Sequence, residues 1–459
     1  MSTKSSRIDR TNRTSRREFL KGTAAAAGVG LWGYWVGGRG TWAAAATGPT
    51  TSPNERVNLG IIGVGGRAKQ NLEEENRAVT GQNIVALCDV DGHRLADVAD
   101  EFPNAEQYRD FRRLLDRKDI DAVVISTADH THAAAALMAL ESGRHVYCEK
   151  PLTHTVDEAR RVTEAARKHR RVTQMGTQIH AGSNYRRVVE LVQGGAIGKV
   201  AEVHVFQSSK WSGAELPTES PPVPEYLDYD LWLGPVPHRP YHAAYHPASW
   251  RGYWAFGNGT LGDMGCHYID LPFWALGLTH PTKVAAEGPP VHEYACPPWL
   301  IVRYEFPARG DQPPVKLTWY DAGKKPAAYD EWDLPRNREG KGPPSGVVFV
   351  GERGMLFADY NQRKLMPERA FADYTAPPPT IPESIGHHRE WLEAIRRNDP
   401  SATTCRFDYS GPLTEAVLLG TVAYRTGKTL EWDAKHLKVT NVPEAERFLR
   451  KAYRQGWGL

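Results

Sequence analysis

The feature that most constrains the fold is an apolar strand that runs into a glycine turn and a helix start, "NLGIIGVGGRAKQNL" (residues 58–72). The turn fits the pattern G-x-G-x-x-A. Its first glycine permits a tight turn, its second lets the backbone approach a pyrophosphate, and its small last residue lets helix and strand pack closely. Such turns are common, so the strand–turn–helix context carries the interpretation. We predict a dinucleotide site formed by Gly63, Gly65, Gly66, Arg67 and Ala68.

A second strand-like run, "NIVALCDVD", strengthens this interpretation. It ends near Asp89, at the distance from the glycine turn where an acidic residue binds the adenine ribose. A carboxylate there accepts hydrogen bonds from the ribose hydroxyls and repels a 2′-phosphate, so the sequence favours NAD as the cofactor. Arg94 is close enough along the chain to soften that preference, which leaves NADP open.

Two further strands, "DIDAVVIS" and "RHVYCEKP", alternate with helical stretches. This order predicts an α/β domain with a doubly wound parallel sheet, whose ligands lie beyond the carboxyl ends of the strands. A lysine at a strand end that faces a crevice can bind a substrate hydroxyl and help to lower its pKa. The residues at those ends are Thr127, Asp129, His132, Glu149 and Lys150, and we predict cofactor contacts for all of them except Asp129.

The stretch "GTLGDMGCHYID" (residues 259–270) places Asp263 and His267 four residues apart, on one face of a helix. Imidazole titrates near neutral pH and suits proton transfer. In isolation, a buried and hydrogen-bonded Asp–His pair with only a structural role is an equally good interpretation. Beside a nucleotide-binding domain, we predict that the pair is catalytic.

These stretches together resemble the glucose-fructose oxidoreductase / inositol dehydrogenase (Gfo/Idh/MocA) family. The resemblance rests on "GIIGVGGRA", "STADHTHAAAALMALESGRHVYCEKPL", "GTLGDMGCHYIDLPFWAL" and "AYRTGKTLEWD", and it spreads over most of residues 57–433. It implies a Rossmann domain followed by an α/β domain with an open, mostly antiparallel sheet. That sheet would cover the nicotinamide and form subunit contacts, so we expect a homo-oligomer.

The same resemblance implies a chemistry. Family members oxidise or reduce a carbon of a sugar, inositol or related polyol with NAD(P), and the residues that match their catalytic set are Lys150, Asp263 and His267. His267 would take the hydroxyl proton and Lys150 would favour the developing alkoxide. Asp263 would contact the substrate or favour the protonated imidazole. Weaker candidates for substrate contact are His180, Arg251 and Trp254.

The amino terminus resembles a twin-arginine export signal. Arg16 and Arg17 stand in "SRREFLK", before a Gly/Ala-rich run and a small-residue cleavage site at "TWAAAA". The expected partner is the twin-arginine export machinery, and the expected location is periplasmic, with membrane anchoring if the signal stays uncleaved. The predicted organisation is a signal (1–46), a linker (47–55), the NAD(P)-binding Rossmann domain (56–180), a substrate and oligomerisation domain (181–440) and a tail (441–459).

The charge and the cysteine content of the chain argue against two kinds of binding site, one for nucleic acid and one for a metal ion. The net charge of +3 without a basic stripe argues against a nucleic-acid partner, and the five scattered cysteines predict buried thiols and no metal site. We expect His387 and His388 on a solvated helix face, with the alternative that one of them faces the site. We expect the Pro- and aromatic-rich insertion 207–250 to shape the pocket.

The function expected from these residues is that of an NAD(P)-dependent oxidoreductase with a tightly bound cofactor that acts on a sugar or polyol. Two alternatives stay open. One is an NAD-dependent glycoside hydrolase that works by transient C3 oxidation and elimination, and the other is a non-catalytic sensor.

Overall fold

The computed structural model describes residues 56–73, 77–213, 215–247, 249–332, 334, 336 and 343–458. The predicted export signal and linker, with Arg16 and Arg17, lie outside the described residues.

The first sheet has six strands in the order β3-β2-β1-β4-β5-β6, and every neighbouring pair is parallel. Its central strands are almost wholly buried on both faces, as runs such as "AVVI" and "HVYCE" require in a sheet covered by helices. This confirms the predicted Rossmann domain. The strands are β1 (Asn58–Ile62), β2 (Asn83–Cys88), β3 (Glu106–Tyr108), β4 (Ala122–Ile125), β5 (His145–Glu149) and β6 (Thr173–Gly176).

Helices join these strands and begin close to the strand ends. The helix after β5 starts with a capping box, in which the Thr155 side chain accepts from the Glu158 amide and the Glu158 carboxylate accepts from the Thr155 amide. The first helices are α1 (Arg67–Leu72), α2 (Arg77–Thr80), α3 (Gly92–Ala99), α4 (Phe111–Asp116), α5 (Asp129–Glu141) and α6 (Val156–His169).

The second sheet has nine strands in the order β13-β12-β11-β7-β10-β9-β8-β14-β15. All of its pairs are antiparallel except β7 with β10. This confirms the mostly antiparallel sheet that the resemblance implied. The strands are β7 (Val200–Phe206), β8 (Lys283–Glu287), β9 (Ile301–Phe306), β10 (Val315–Tyr320), β11 (Gly346–Gly351), β12 (Gly354–Ala358), β13 (Arg363–Met366), β14 (Leu430–Asp433) and β15 (Lys438–Val439).

The remaining helices connect this sheet and also return to the first domain. They are α7 (Ser183–Gln193), α8 (Tyr229–Leu233), α9 (Gly259–Tyr268), α10 (Asp270–Leu276), α11 (His387–Arg396), α12 (Phe407–Thr426) and α13 (Glu446–Leu449). Helix α12 packs on α6, and α11 buries Trp391 and Leu392 in the core of the first sheet. The predicted domain boundaries stay a prediction.

The expectation for two histidines of α11 was wrong. His387 and His388 are only 5% and 7% exposed. His387 lies with Nε2 2.7 Å from the Met175 carbonyl, and His388 stacks on Tyr147. The solvated face of this helix therefore lies elsewhere, because its amino-terminal turn packs against the ends of β5 and β6.

All five cysteines are buried free thiols, as predicted. Among the helices of the described ranges, none combines the length and the apolar character that a membrane crossing needs.

Candidate active site

The glycine turn is held open toward the carboxyl edge of the first sheet. Gly63 has φ +81°, and a Cβ there would lie 2.9 Å from the Ser126 backbone, so only glycine fits. Gly66 has φ +54° and open space beside it. The turn therefore leaves room for a ligand to approach the backbone, which is the fit that a dinucleotide pyrophosphate needs.

Asp89 is tied to the turn. Its Oδ2 accepts from the Val64 amide at 2.9 Å and its Oδ1 accepts from the Asp91 amide at 2.9 Å. Burial raises the pKa of Asp89, and the two amides partly offset this. Each oxygen keeps acceptor capacity for a ribose hydroxyl. The side chain of Arg94 lies against Gly65, so the residue that softens the preference for NAD is beside the turn.

The carboxylate of Glu149, at the end of β5, accepts hydrogen bonds from several side chains. Its Oε1 accepts from Asn71 and Gln178 at 3.0 Å each, and Arg67 Nε lies 3.4 Å away. Its Oε2 is buried and has no hydrogen-bond partner among the residues that the structure describes. Asn71 and Gln178 were missed from the sequence, because no spacing rule marks a side chain that reaches a neighbouring strand end.

His132 joins two strand ends. Nδ1 lies 2.9 Å from the Pro151 carbonyl and Nε2 lies 3.1 Å from the Thr127 carbonyl. Burial lowers the pKa of His132, so its ring is neutral. The ring thereby fixes the backbone on either side of the crevice, and the predicted cofactor contacts of Thr127 and His132 stay a prediction.

The two domains meet at a buried ion pair. Lys150 Nζ donates to both the carboxylate and the main-chain oxygen of Asp263 at 2.6 Å. Arg251 Nε donates to the same carboxylate at 3.1 Å. Burial raises the pKa of Asp263, but Lys150 and Arg251 outweigh it and hold that pKa well below its usual value. The structure therefore brings three of the predicted site residues together.

His267 lies one helical turn beyond Asp263 and is 4% exposed. Burial, with Lys150 adding to it, lowers the pKa of His267 well below its usual value, and the opposing effect of Asp263 is smaller. The imidazole is therefore neutral and able to accept a proton. Its Nδ1 is buried without a hydrogen-bond partner in the described part of the chain.

His180 belongs to a second pair at the other end of this helix face. Its Nδ1 lies 2.9 Å from Asp270 Oδ1, its ring stacks on Trp274 at 4.1 Å, and Tyr409 Oη donates to Asp270 at 2.7 Å. Cys405 is close enough for the three ligand atoms to lie within 4.8 Å of one another. His180 already provides a hydrogen-bond partner for the Asp270 carboxylate. The prediction that the protein binds no metal stays a prediction.

Asp263 and His267 share one face of α9, and Asp270 follows His267 by three residues as the first residue of the next helix, α10. Asp270 was missed from the sequence although this spacing extends the Asp263–His267 pattern by one turn.

Trp254 lies apart from the Lys150–Asp263 pair. Its Nε1 donates to the His292 carbonyl at 3.1 Å, and the Arg425 guanidinium lies 5.0 Å from its ring. Its predicted contact with the substrate stays a prediction.

The insertion crosses the carboxyl edge of the first sheet as a strap, defined here as residues 224–236. Leu227 forms an antiparallel bridge with Asp91, and the Asp228 amide donates to the Val90 carbonyl at 2.9 Å. Further along, the Trp232 carbonyl lies 2.8 Å from His130 Nε2. The strap therefore spans from the end of β2, beside Asp89, to the start of α5.

The carboxyl-terminal tail fastens this strap. The Arg454 amide donates to the Pro235 carbonyl and its Nε donates to the Gly234 carbonyl, both at 3.0 Å. Its guanidinium also donates to the carbonyl and the carboxylate of Asp230. Nothing in the sequence indicated this contact, which joins segments more than two hundred residues apart.

Comparisons with known proteins agree with this architecture. Two sequence models of the Gfo/Idh/MocA oxidoreductase family match, the NAD-binding Rossmann fold at residues 57–177 and the carboxyl-terminal alpha/beta domain at residues 181–313. The chain belongs to this family. Its first domain is accordingly an NAD-binding domain, in agreement with the glycine turn and Asp89.

Curated relatives of similar sequence are inositol 2-dehydrogenases. The chain is 32% identical to that of Salmonella typhimurium over 150 residues, which cover 32% of this chain and 45% of the relative. It is 35% identical to inositol 2-dehydrogenase 3 of Saccharopolyspora erythraea over 149 residues, with 32% and 44% coverage. The chain thus spans about half the length of the curated relatives it matches.

Solved structures share the fold. The WlbA dehydrogenase of Bordetella pertussis, in complex with NADH and UDP-GlcNAcA, has a TM-score of 0.58 at 16% identity and covers 82% of this chain and 99% of its own. A levoglucosan dehydrogenase in complex with NADH and levoglucosan has a TM-score of 0.54 at 18% identity, with the same coverage.

The buried pair gives a testable consequence. We expect Asp263→Asn to lower the free energy of unfolding by about 3 kcal/mol or more, because it leaves the Lys150 ammonium buried without its counter-ion. The measurement is the shift of the chemical and thermal unfolding midpoints.

The matched control is Asp97→Asn. It removes the exposed partner of Lys69 and is expected to change stability by less than about 0.5 kcal/mol. Equal midpoints for the two variants would show that Lys150 and Asp263 are not paired in solution.

Proposed function

We propose that this protein is an NAD-dependent oxidoreductase that transfers hydride between a tightly bound nicotinamide cofactor and a hydroxyl-bearing carbon of a sugar or polyol. The observation that carries the proposal is the meeting of Lys150, from the NAD-binding domain, with Asp263, one helical turn from His267. Two polar atoms near this meeting point, Glu149 Oε2 and His267 Nδ1, are buried without partners among the described residues, as expected of a site that a ligand completes.

Alcohol oxidation removes a hydride from carbon and a proton from oxygen. Bound NAD supplies the hydride acceptor, held by the glycine turn and Asp89. The neutral imidazole of His267 accepts the proton. Lys150 stabilises the negative charge that develops on the oxygen, and Asp263 holds the ammonium in place. In the reverse direction the protonated imidazole returns the proton to the carbonyl oxygen.

The substrate class is supported by the relatives. Those matched over the first domain are named inositol 2-dehydrogenases, and one protein of the same fold binds levoglucosan. Arg251 lies against Asp263 with its guanidinium 4.3 Å from the Trp250 ring, so a charged donor and an aromatic face stand side by side at this edge. Such a pair suits a ligand with many hydroxyls and an apolar ring face.

Tight retention of the cofactor is supported by the strap. It crosses the loop after Asp89, the predicted ribose-binding residue, and is fastened by Arg454. Retained NAD suits an enzyme that regenerates its cofactor with a second substrate. It also suits the glycoside hydrolase alternative, in which oxidation and reduction occur within one cycle.

The central experiment uses the purified mature chain. The nucleotide is extracted and weighed, and nicotinamide reduction is then followed by absorbance with myo-inositol, levoglucosan and D-glucose as probes. We expect bound NAD and reduction by at least one probe. For Lys150→Met and His267→Gln we expect kcat to fall by about 100-fold or more. For His267→Gln, which changes no predicted cofactor contact, we expect the affinity for NADH to be retained.

Three outcomes of this experiment differ in meaning. Absence of any nucleotide binding contradicts the whole proposal. Cleavage of an aryl glycoside without net NADH formation supports the hydrolase alternative. A His267→Gln variant that loses NADH affinity and activity in parallel contradicts the proton-transfer role of His267.

The strap makes a separate prediction. We expect Arg454→Ala to release the bound nucleotide at least several-fold faster than the wild type, because two side-chain hydrogen bonds to strap carbonyls and the ion pair with Asp230 are lost. The measurement is the nucleotide content after timed dialysis. Arg450→Ala, which removes an exposed side chain bonded to Glu446, serves as the control. Equal retention in both variants would refute a retaining strap.

Export and assembly complete the proposal. We propose that the twin-arginine machinery exports the folded, cofactor-loaded chain to the periplasm as a homo-oligomer. We expect the Arg16→Lys, Arg17→Lys double variant to keep the protein in the cytosol, because the paired arginines are what the export receptor recognises. Cell fractionation measures this, with Arg10→Lys as the control. A double variant that reaches the periplasm as well as the wild type would refute this route.

A further inference from the structure

Asp129, the first residue of α5, carries a carboxyl group that the proposed chemistry does not use. It is 3% exposed and begins the helix that follows β4. Its Oδ2 is one of the buried atoms without a partner. Other buried carboxylates nearby, such as Asp263 and Asp270, each have at least two donors.

Burying a carboxylate without hydrogen-bond partners costs folding free energy, so we expect another group to compensate for this cost. Burial raises the pKa of Asp129 to about 7, with Asp263 adding to the increase, while Arg251, Lys150 and Lys451 oppose it. These four charged groups therefore act electrostatically on the carboxyl. Asp129 follows β4 and Lys150 follows β5, its neighbour in the sheet, so the carboxyl and the Lys150–Asp263 pair lie at the same edge of that sheet.

We propose that Asp129 binds the substrate directly, by accepting a hydrogen bond from a hydroxyl group of the sugar or polyol. The inference rests on the proposed function and adds a substrate-contacting residue to it. A charged acceptor suits a hydroxyl-rich ligand, because a hydrogen bond to a carboxylate is stronger than one to a neutral acceptor. The hydroxyl supplies the partner that no described side chain provides.

Thr127, His132 and Lys150 at the same sheet edge are themselves predicted cofactor contacts, so the NADH titration below is what separates a substrate role of Asp129 from a cofactor role. The glycine turn and Asp89 lie further away along the sheet edge, at the ends of β1 and β2, whereas Asp129 follows β4. A hydroxyl bound between Lys150 and Asp129 would have a donor on one side and an acceptor on the other. That arrangement fixes the orientation of a polyol ring relative to the lysine.

The first test compares the wild type with Asp129→Asn, which has nearly the same shape and no charge. We expect KM for the active probe among myo-inositol, levoglucosan and D-glucose to rise by about 10-fold or more, the loss typical of a charged hydrogen bond. The Kd for NADH, measured by fluorescence titration of cofactor-stripped protein, is expected to stay unchanged. Asp97→Asn is the matched control on an exposed helix surface.

The second test measures thermal unfolding without sugar. A carboxyl whose pKa is higher in the folded chain than in the unfolded chain costs stability as the pH rises from about 4 through about 7. Asp129→Asn removes this cost, so we expect the variant to have a higher Tm than the wild type at about pH 8. The difference should shrink as the pH falls toward 5.

The outcomes are distinct. If the wild type reduces its cofactor with none of the probes, the proposed function and the inference fall together. If the wild type is active and Asp129→Asn keeps the wild-type KM, only the inference falls. A raised Kd for NADH with unchanged KM assigns Asp129 to the cofactor and overturns the inference, and a lower Tm for the variant at pH 8 overturns it by showing a structural role.

Discussion

The buried contact between Lys150 and Asp263 is the interaction on which the site depends. Lys150 comes from the end of β5 and Asp263 from α9, so one ion pair joins the parallel sheet to the helices that cover the second sheet. Its cost in desolvation is high, and Arg251 and the Asp263 carbonyl supply the extra hydrogen bonds that such a pair needs. The ion pair therefore fixes the position of the Lys150 ammonium at the contact between the two domains.

Several polar side chains around the Lys150–Asp263 pair have a buried atom without a hydrogen-bond partner. Glu149 Oε2, Asp129 Oδ2 and His267 Nδ1 are all buried, and none has a partner within the described ranges. Other buried carboxylates have charged partners, as Glu415 has in Arg160 and Glu390 has in Arg186. Among the carboxylates that the structure describes, only Asp129 and Glu149 have a buried oxygen without a partner, and both lie at the carboxyl ends of neighbouring strands, β4 and β5.

Sequence reasoning was most reliable where function depends on local chemistry. The glycine turn, the strand-end lysine and the Asp–His spacing each follow from backbone geometry over a few residues, and the structure brings Lys150 and Asp263 together. It was least reliable for contacts between distant segments. The burial of His387 and His388, and the hold of Arg454 on the strap, depend on which surfaces meet in the folded chain, and no period or cap in the sequence encodes that.

The two ends of the crevice differ in what lines them, a backbone bridge to the strap at one end and a group of charged side chains at the other. At the adenosine end, the backbone bridge between Leu227 and Asp91 is neutral and is fastened by the tail, so it resists opening. At the other end, the arrangement around Lys150 consists of charges with spare hydrogen-bonding capacity, which a polar ligand can enter and leave. Under the proposed function, this difference would favour exchange of a small hydroxylated molecule at the Lys150 end over exchange of the dinucleotide.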